Sequence, residues 1–303
     1  MDRMTQAGKD ACQPGGAHLP ALRPFQSRRW RGWVDASWQP VLAELDAWLT
    51  DHPGTVVVDK LARTVFRVET PQGVVYVKIM RHLQERGRPF KRLLAGLKWY
   101  FRPSRALAVL RVSSAMLSRG IGCPEPVLAA RRRSRLGWPE DIFISREVAS
   151  PSVNRLLHEQ RDGGAQAGVM VSVARAVARL HNQGFVHGDC LPGNISLDAD
   201  GMACFLDNDR TWFAPVLGAR RARMKNLLQF LSRLPPVLDH VGLADVFLNA
   251  YYQASSDAAM SGGRQRARLC REVQRRQAFL SAKQVDKRGG AVLAGSRSGR
   301  SAR

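Results

Sequence analysis

Between residues 187 and 209 the chain reads His187-Gly188-Asp189-Cys190-Leu191-Pro192-Gly193-Asn194, then a hairpin, then Leu206-Asp207-Asn208-Asp209. No other stretch limits the possible folds as much. Upstream, Val169, Val173, Ala176, Val177 and Leu180 recur as one face of an amphipathic helix that stops at Asn182-Gln183-Gly184. Downstream, Ile195–Leu197 and Ala203–Leu206 read as two strands joined by the turn Asp198-Ala199-Asp200-Gly201. Asp189 and Asn194 thus fall on a loop between helix and hairpin, and Asp207 falls at a strand end eighteen positions after Asp189. Carboxylates and an amide at this spacing form a phosphoryl-transfer constellation. Asp189 can accept the proton of an attacking hydroxyl, while Asn194 and Asp207 offer the hard oxygen ligands that Mg²⁺ demands.

The chain before this loop has a different character. Thr55–Asp59, Ala62–Glu69 and Val74–Met80 are β-rich runs, with Pro71-Gln72-Gly73 as the turn between the last two, and they predict an antiparallel meander. Lys78 lies on the third run in Val77-Lys78-Ile79, where a rigid strand can hold its ammonium against the α/β-phosphates of ATP. Residues 81–120 read as basic and helical, then Pro126–Ala129 and Asp141–Val148 as two further strands, which completes a small α+β lobe. Ile142–Val148 leads out of that lobe and by position can offer backbone groups to adenine. Helical segments follow around Lys225–Leu234 and Leu243–Tyr252. Residues 1–30 read as a leader with little function, Trp38–Leu49 as a short helix, and the chain after Ser261 as a helix fraying into a basic tail.

Charge bears on the partner. With 47 Lys and Arg against 25 Asp and Glu, the net charge of +22 implies an acidic ligand, whether nucleic acid, an anionic membrane surface or a phosphorylated substrate. No run approaches the roughly 18 apolar residues of a membrane span, and the N-terminus lacks the apolar core of a signal peptide. The five cysteines are widely spaced and include no CxxC pair, so neither a disulfide framework nor a zinc site is expected.

These residues resemble the bacterial lipopolysaccharide core kinases, within the protein-kinase-like fold. The resemblance is carried by Val77-Lys78, Arg102-Pro103-Ser104-Arg105-Ala106, Gly120-Ile121 with Pro124-Glu125-Pro126-Val127, His181-x-x-Gly184-x-x-His187-Gly188-Asp189, Leu206-Asp207-Asn208-Asp209-Arg210 and Lys225-Asn226-Leu227-Leu228. It implies a two-lobed α+β fold, with a small antiparallel β-rich lobe over 55–148 and a mainly helical lobe over 149–280. Residues 1–54 would then be a leader with a short helix, and 281–303 a flexible basic tail. It also implies an ATP- and Mg²⁺-dependent kinase acting on a heptose or Kdo hydroxyl of the inner core. Asp189 would be the catalytic base, Lys78 would bind the phosphates, and Asn194 and Asp207 would hold the metal. The expected partners are the core glycolipid and the anionic inner-membrane surface, with no specific nucleic acid, and the expected location is cytoplasmic and peripheral to that membrane. The rival readings are a kinase-like phosphotransferase for a small molecule or protein, and a catalytically silent scaffold on anionic membrane.

Two departures from the kinase pattern stand out. Asp59-Lys60-Leu61-Ala62-Arg63-Thr64 replaces a glycine-rich loop, so backbone cradling of the phosphates is expected to be looser, or supplemented by Lys60, Arg63 or Thr64. No Glu stands where a kinase helix would pair one with Lys78: Glu85, only seven positions on, is the one acid before Glu125. Among the remaining residues, His187 is expected to fix the loop by hydrogen bonds, Cys190 to be a small buried hydrophobe, and Asp209 to pair with Arg210 in preference to binding a second Mg²⁺.

Overall fold

The computed structural model describes residues 20–81, 102–133, 139–160, 162–213, 216–235, 240–256 and 266–280. A seven-stranded antiparallel sheet forms the first half. Its strands are β1 (Leu22–Ser27), β2 (Trp30–Asp35), β3 (Thr55–Lys60), β4 (Arg63–Thr70), β5 (Gly73–Arg81), β6 (Pro126–Arg133) and β7 (Pro139–Arg146), in the spatial order β1-β2-β6-β7-β5-β4-β3. Helix α1 (Leu45–Asp51) covers one face and α2 (Arg105–Leu117) the other.

The meander forms as its alternation predicts, and the pleat decides which residues meet. Along β5, Val75 and Val77 point into a core with Trp30, Trp38, Leu42, Leu45 and Trp48, whereas Tyr76, Lys78 and Met80 point the other way. Cross-strand pairs share a face. The pairs Arg63↔Met80, Val65↔Lys78 and Lys78↔Phe143 therefore put Arg63, Val65, Lys78 and Phe143 on the α2 side of the sheet.

The N-terminal segment corrects an expectation. Residues 1–30 read as a leader, yet β1 and β2 pair from Leu22↔Asp35 to Ser27↔Trp30, and β2 pairs with β6, so the sheet begins at Leu22 rather than Thr55. Pro24 is tolerated because β1 is an edge strand. The helix expected over Trp38–Leu49 is shorter. Trp38, Leu42, Leu45 and Trp48 are all buried on one face as their spacing requires, but only Leu45–Asp51 is helical, and turns carry the first part.

Helix α2 starts at Ser104, whose hydroxyl accepts the Leu107 N–H at 3.3 Å. It is a core element, burying Ala106, Val109, Leu110, Ser113, Met116 and Leu117. Residues 82–101 of the stretch read as basic and helical lie outside the described residues, as does the tail 281–303. A clamp anchors the start of α2. Asp141 of β7, fully buried, accepts hydrogen bonds from Ser104 Oγ (2.8 Å), Arg105 N (2.9 Å) and Arg131 Nε (2.7 Å) and NH2 (3.0 Å). The Arg131 guanidinium also reaches the carbonyls of Arg102 and Pro103.

The second half is built on α3 (Val153–Glu159), α4 (Gly163–Asn182), the short strand β8 (Phe185–Val186), the hairpin β9 (Ile195–Leu197) and β10 (Ala203–Phe205), β11 (Trp212–Phe213), α5 (Val216–Leu231), α6 (His240–Ala254) and a final helix, α7, over 266–280. Val173, Val177, Leu180, Phe205, Leu227, Phe230, Phe247 and Leu248 form its core, to which α7 adds Leu269 and Val273. The end of α2 docks here: Phe205 N–H donates to the Gly122 carbonyl at 2.9 Å, and the Arg119 guanidinium lies about 5 Å from the ring centres of Phe185 and Phe213. No helix among the described residues is long and apolar enough to cross a membrane.

Candidate active site

The loop that carries Asp189 is positioned by buried neutral groups. Asn226 of α5 is the central clip. Its side-chain oxygen accepts the His187 N–H at 3.0 Å and faces His181 Nε2 at 3.1 Å, while its amide nitrogen donates to the His187 carbonyl at 2.5 Å. His181 Nδ1 meets the Tyr251 hydroxyl at 2.8 Å. His187 Nε2 donates to the Leu206 carbonyl at 2.9 Å, leaving Nδ1 to accept the Asp189 N–H at 3.3 Å. One neutral imidazole thereby ties Asp189 to the segment that delivers Asp207. Burial keeps both rings uncharged, pushing His187 below its usual pKa and His181 down to about 4. His187 thus has the structural role expected of it. A Cβ at position 188 would lie 2.2 Å from the Arg210 carbonyl oxygen, so the chain can cross there only as glycine.

Asn194 sits in a short 3₁₀ turn over Pro192–Asn194 and directs its amide nitrogen at the Asp189 carbonyl (2.9 Å) and carboxylate (3.4 Å). Its carbonyl oxygen is then the atom available to a hard cation. Asp207 adopts a left-handed backbone conformation (φ 53°, ψ 56°), which Asp tolerates better than most residues and which marks a strained position after β10. Lys78 reaches over from β5 to donate to Asp207 Oδ1 at 2.7 Å and also bonds Asp209. Arg63 NH1 stands 3.5 Å from the second Asp207 oxygen. Burial alone would raise the Asp207 carboxyl, but Lys78 and Arg63 hold it below its ordinary value.

The expected Asp209–Arg210 pair is replaced by Asp209–Lys78. Neighbouring side chains diverge in the tight turn Asn208–Arg210, and the one facing β5 is Asp209. Among the described residues, Lys78 pairs with two carboxylates. Cys190 is fully buried and its thiol is pushed up to about 12 by burial and the adjacent Asp189, so it is an inert core group as expected.

A cavity of about 300 Å³ opens between sheet and helices, lined by Arg63, Val65, Tyr76, Lys78, Phe143 and Ser145 from the sheet and by Leu206, Asp207 and Asp209 from below. Arg146 and Val148, on the segment assigned by position to adenine, are in its wall. Among the described residues, no three His, Cys, Asp or Glu side chains cluster as a protein-only metal cage. Asp207 and Asp209 on the cavity wall, with Asn194 tied to the adjacent Leu206 N–H through its backbone carbonyl at 2.8 Å, suit instead an Mg²⁺ that completes its shell with phosphate and water. Lys78 Nζ, already between Asp207 and Asp209, shows that these carboxylates attract a cation.

An apolar-walled cleft that ends on a strand lysine and an aspartate pair, in a chain that also carries an Asp-x4-Asn loop, is the arrangement of a kinase-like phosphotransferase. The chain belongs to the lipopolysaccharide kinase (Kdo/WaaP) family, whose profile matches residues 55–245. ATP is accordingly its phosphate donor. Among solved structures, WaaP in complex with acyl carrier protein is similar over 85% of this chain and 99% of its own, at 16% identity and a TM-score of 0.56, which supports the fold. The chain of WbdD, at 2.2 Å resolution, is also 16% identical, over 71% of this chain and 49% of its own, with a TM-score of 0.42. No curated protein matches.

Two positioning residues escaped the motif reading: Asn226 and Asp141. Asn226 lies within Lys225-Asn226-Leu227-Leu228 but had no role there, and both side chains bind groups more than thirty positions away.

Proposed function

We propose that the protein transfers the γ-phosphate of ATP to a heptose or Kdo hydroxyl of the lipopolysaccharide inner core. The observation that carries this reading is the meeting of Lys78, Arg63, Asp207 and Asp209 in one cavity, within a chain of the lipopolysaccharide kinase family. Adenine would lie between Val65, Phe143 and the wall at Arg146–Val148, with the phosphates running toward Lys78. Asn194 and Asp207 would hold Mg²⁺, which when bound neutralises charge on the phosphate oxygens. Asp189 holds the acceptor hydroxyl in line with the γ-phosphorus and takes its proton as the new O–P bond forms and the bond to the ADP oxygen breaks. The His187–Asn226 network contributes by fixing that carboxylate in place, since this transfer rests on alignment and charge neutralisation.

A lipid-linked acceptor brings the reaction to the cytoplasmic face of the inner membrane. The net charge of +22 supports peripheral attachment there, at roughly 1 kcal/mol per basic residue close to an anionic leaflet. Mass spectrometry of lipopolysaccharide from cells with and without the gene tests the reading. Loss of a phosphate-sized mass from one core sugar is the expected result, and an unchanged core would refute the assigned substrate.

A further inference from the structure

We propose that Arg63 performs the phosphate-gripping task for which this chain has no glycine-rich loop. The inference rests on the ATP-dependent reading above and adds a nucleotide-binding residue to it. In this chain β3 and β4 stay paired up to Lys60↔Arg63, and only Leu61 and Ala62 form the turn. A turn this short offers no row of backbone N–H groups to cradle an anion. The task therefore falls to a side chain, and the structure separates the three available.

Thr64 is buried and already engaged, donating to Asp59 Oδ1 at 3.2 Å and accepting from Arg81 NH1 at 2.8 Å. Lys60 is exposed and is not part of the cavity wall. Arg63 shares the Lys78 face of the sheet, lines the cavity and holds its guanidinium 3.5 Å from Asp207 Oδ2, while Lys78 occupies Oδ1. Two cations thus converge on one carboxylate, at the end of the cavity where the phosphates of a bound nucleotide would arrive. When Asp207 turns to Mg²⁺, the Arg63 fork is free to take phosphate oxygens a short swing away. Its planar guanidinium can bond two of them at once, which a lysine ammonium cannot match.

Calorimetric titration of the full-length chain with Mg·ATP and with adenosine tests this, comparing the natural protein with Arg63→Ala and Arg63→Lys. The expected result is Mg·ATP affinity reduced about tenfold or more in Arg63→Ala, reduced less in Arg63→Lys, and adenosine affinity unchanged in both. Equal losses for ATP and adenosine would assign Arg63 a purely structural role, and unchanged ATP affinity would assign it none; either overturns the proposal. Failure of the natural protein to bind Mg·ATP would instead defeat the kinase reading itself, so the two failures are told apart.

Discussion

On the sheet side of the cleft, arginines that brace the strands are matched by carboxylates: Arg131 by Asp141, Arg132 by Glu140, and Arg67 by Glu147 at the exit from β7. On the helical side, the loop bearing Asp189 hangs instead on His181, Asn226 and His187, all buried and uncharged at neutral pH. The contrast follows from what each side presents. The sheet presents cations to phosphate, and ion pairs around it offset the charge that a basic sheet accumulates. In the proposed reaction the helical side presents the carboxylate that takes the acceptor's proton, and a neutral scaffold fixes its position without adding charges beside it. The two sides should therefore fail differently when perturbed.

The largest effect is expected at the helical side's reactive tip. On the proposed mechanism, replacing Asp189 by Ala should lower the rate constant for transfer by about 10²–10⁴-fold with the melting temperature nearly unchanged, because Asp189 is only partly buried and is no part of the core. Steady-state kinetics together with a thermal melt check both halves of that statement.

Next in size is the sheet-side clamp. Asp141→Ala strips the charged partner from Arg131 and the capping acceptor from the start of α2, and such a loss at a buried pair costs roughly 3–5 kcal/mol. Urea unfolding should show it. A loss below about 1 kcal/mol would mean the pair is a surface-type bridge and would erase the contrast between the two sides.

Asn226→Ala removes the groups that serve His187 N–H, the His187 carbonyl and His181 Nε2. A stability loss of about 3 kcal/mol is expected from the polar groups left unpaired. Activity should fall with it, since the loop is no longer held. Normal turnover in the folded fraction would show that this network serves stability alone.

Acidity gives the smallest and most discriminating effect. His181 titrates at about 4 in the folded chain against about 6.5 when unfolded. As pH falls, the unfolded chain takes up the proton first. The stabilisation is complete above about pH 6.5 and is lost on the way down to about 4, amounting to about 2 kcal/mol by pH 5. The lowered Asp207 carboxyl acts in the same direction, but only below the ordinary carboxylate range. Urea midpoints measured between neutral pH and about pH 5 should therefore decline, and the decline should be shallower in His181→Gln.

How much of this was legible in the sequence depended on the distance between partners. The meander, the helix 169–182 and the hairpin after Asn194 follow from local periodicity and turn residues, and Asp189, Asn194 and Asp207 announce themselves because one loop and hairpin carry all three. Lys78 could be placed because alternation along β5 is local. The first two strands were not legible: Leu22–Ser27 contains Arg, Pro and Gln, and its place in the sheet depends on β2 pairing with β6 about a hundred residues later. Asp141 and Asn226 were hidden for the same reason, since the α2 start that Asp141 caps lies 36–37 positions away and the groups Asn226 holds lie 39–45 away. The choice of Lys78 as the partner of Asp209, over the adjacent Arg210, depended on a turn geometry that spacing does not specify.

The most direct test of the account is transfer of labelled γ-phosphate from ATP to purified core lipopolysaccharide by the full-length protein, with and without Mg²⁺. The account predicts metal-dependent label on a single core sugar with the natural protein, and label that accumulates at least about 10²-fold more slowly with Asp189→Ala. Label that persists undiminished in Asp189→Ala, or that never appears although Mg·ATP is bound, would contradict it.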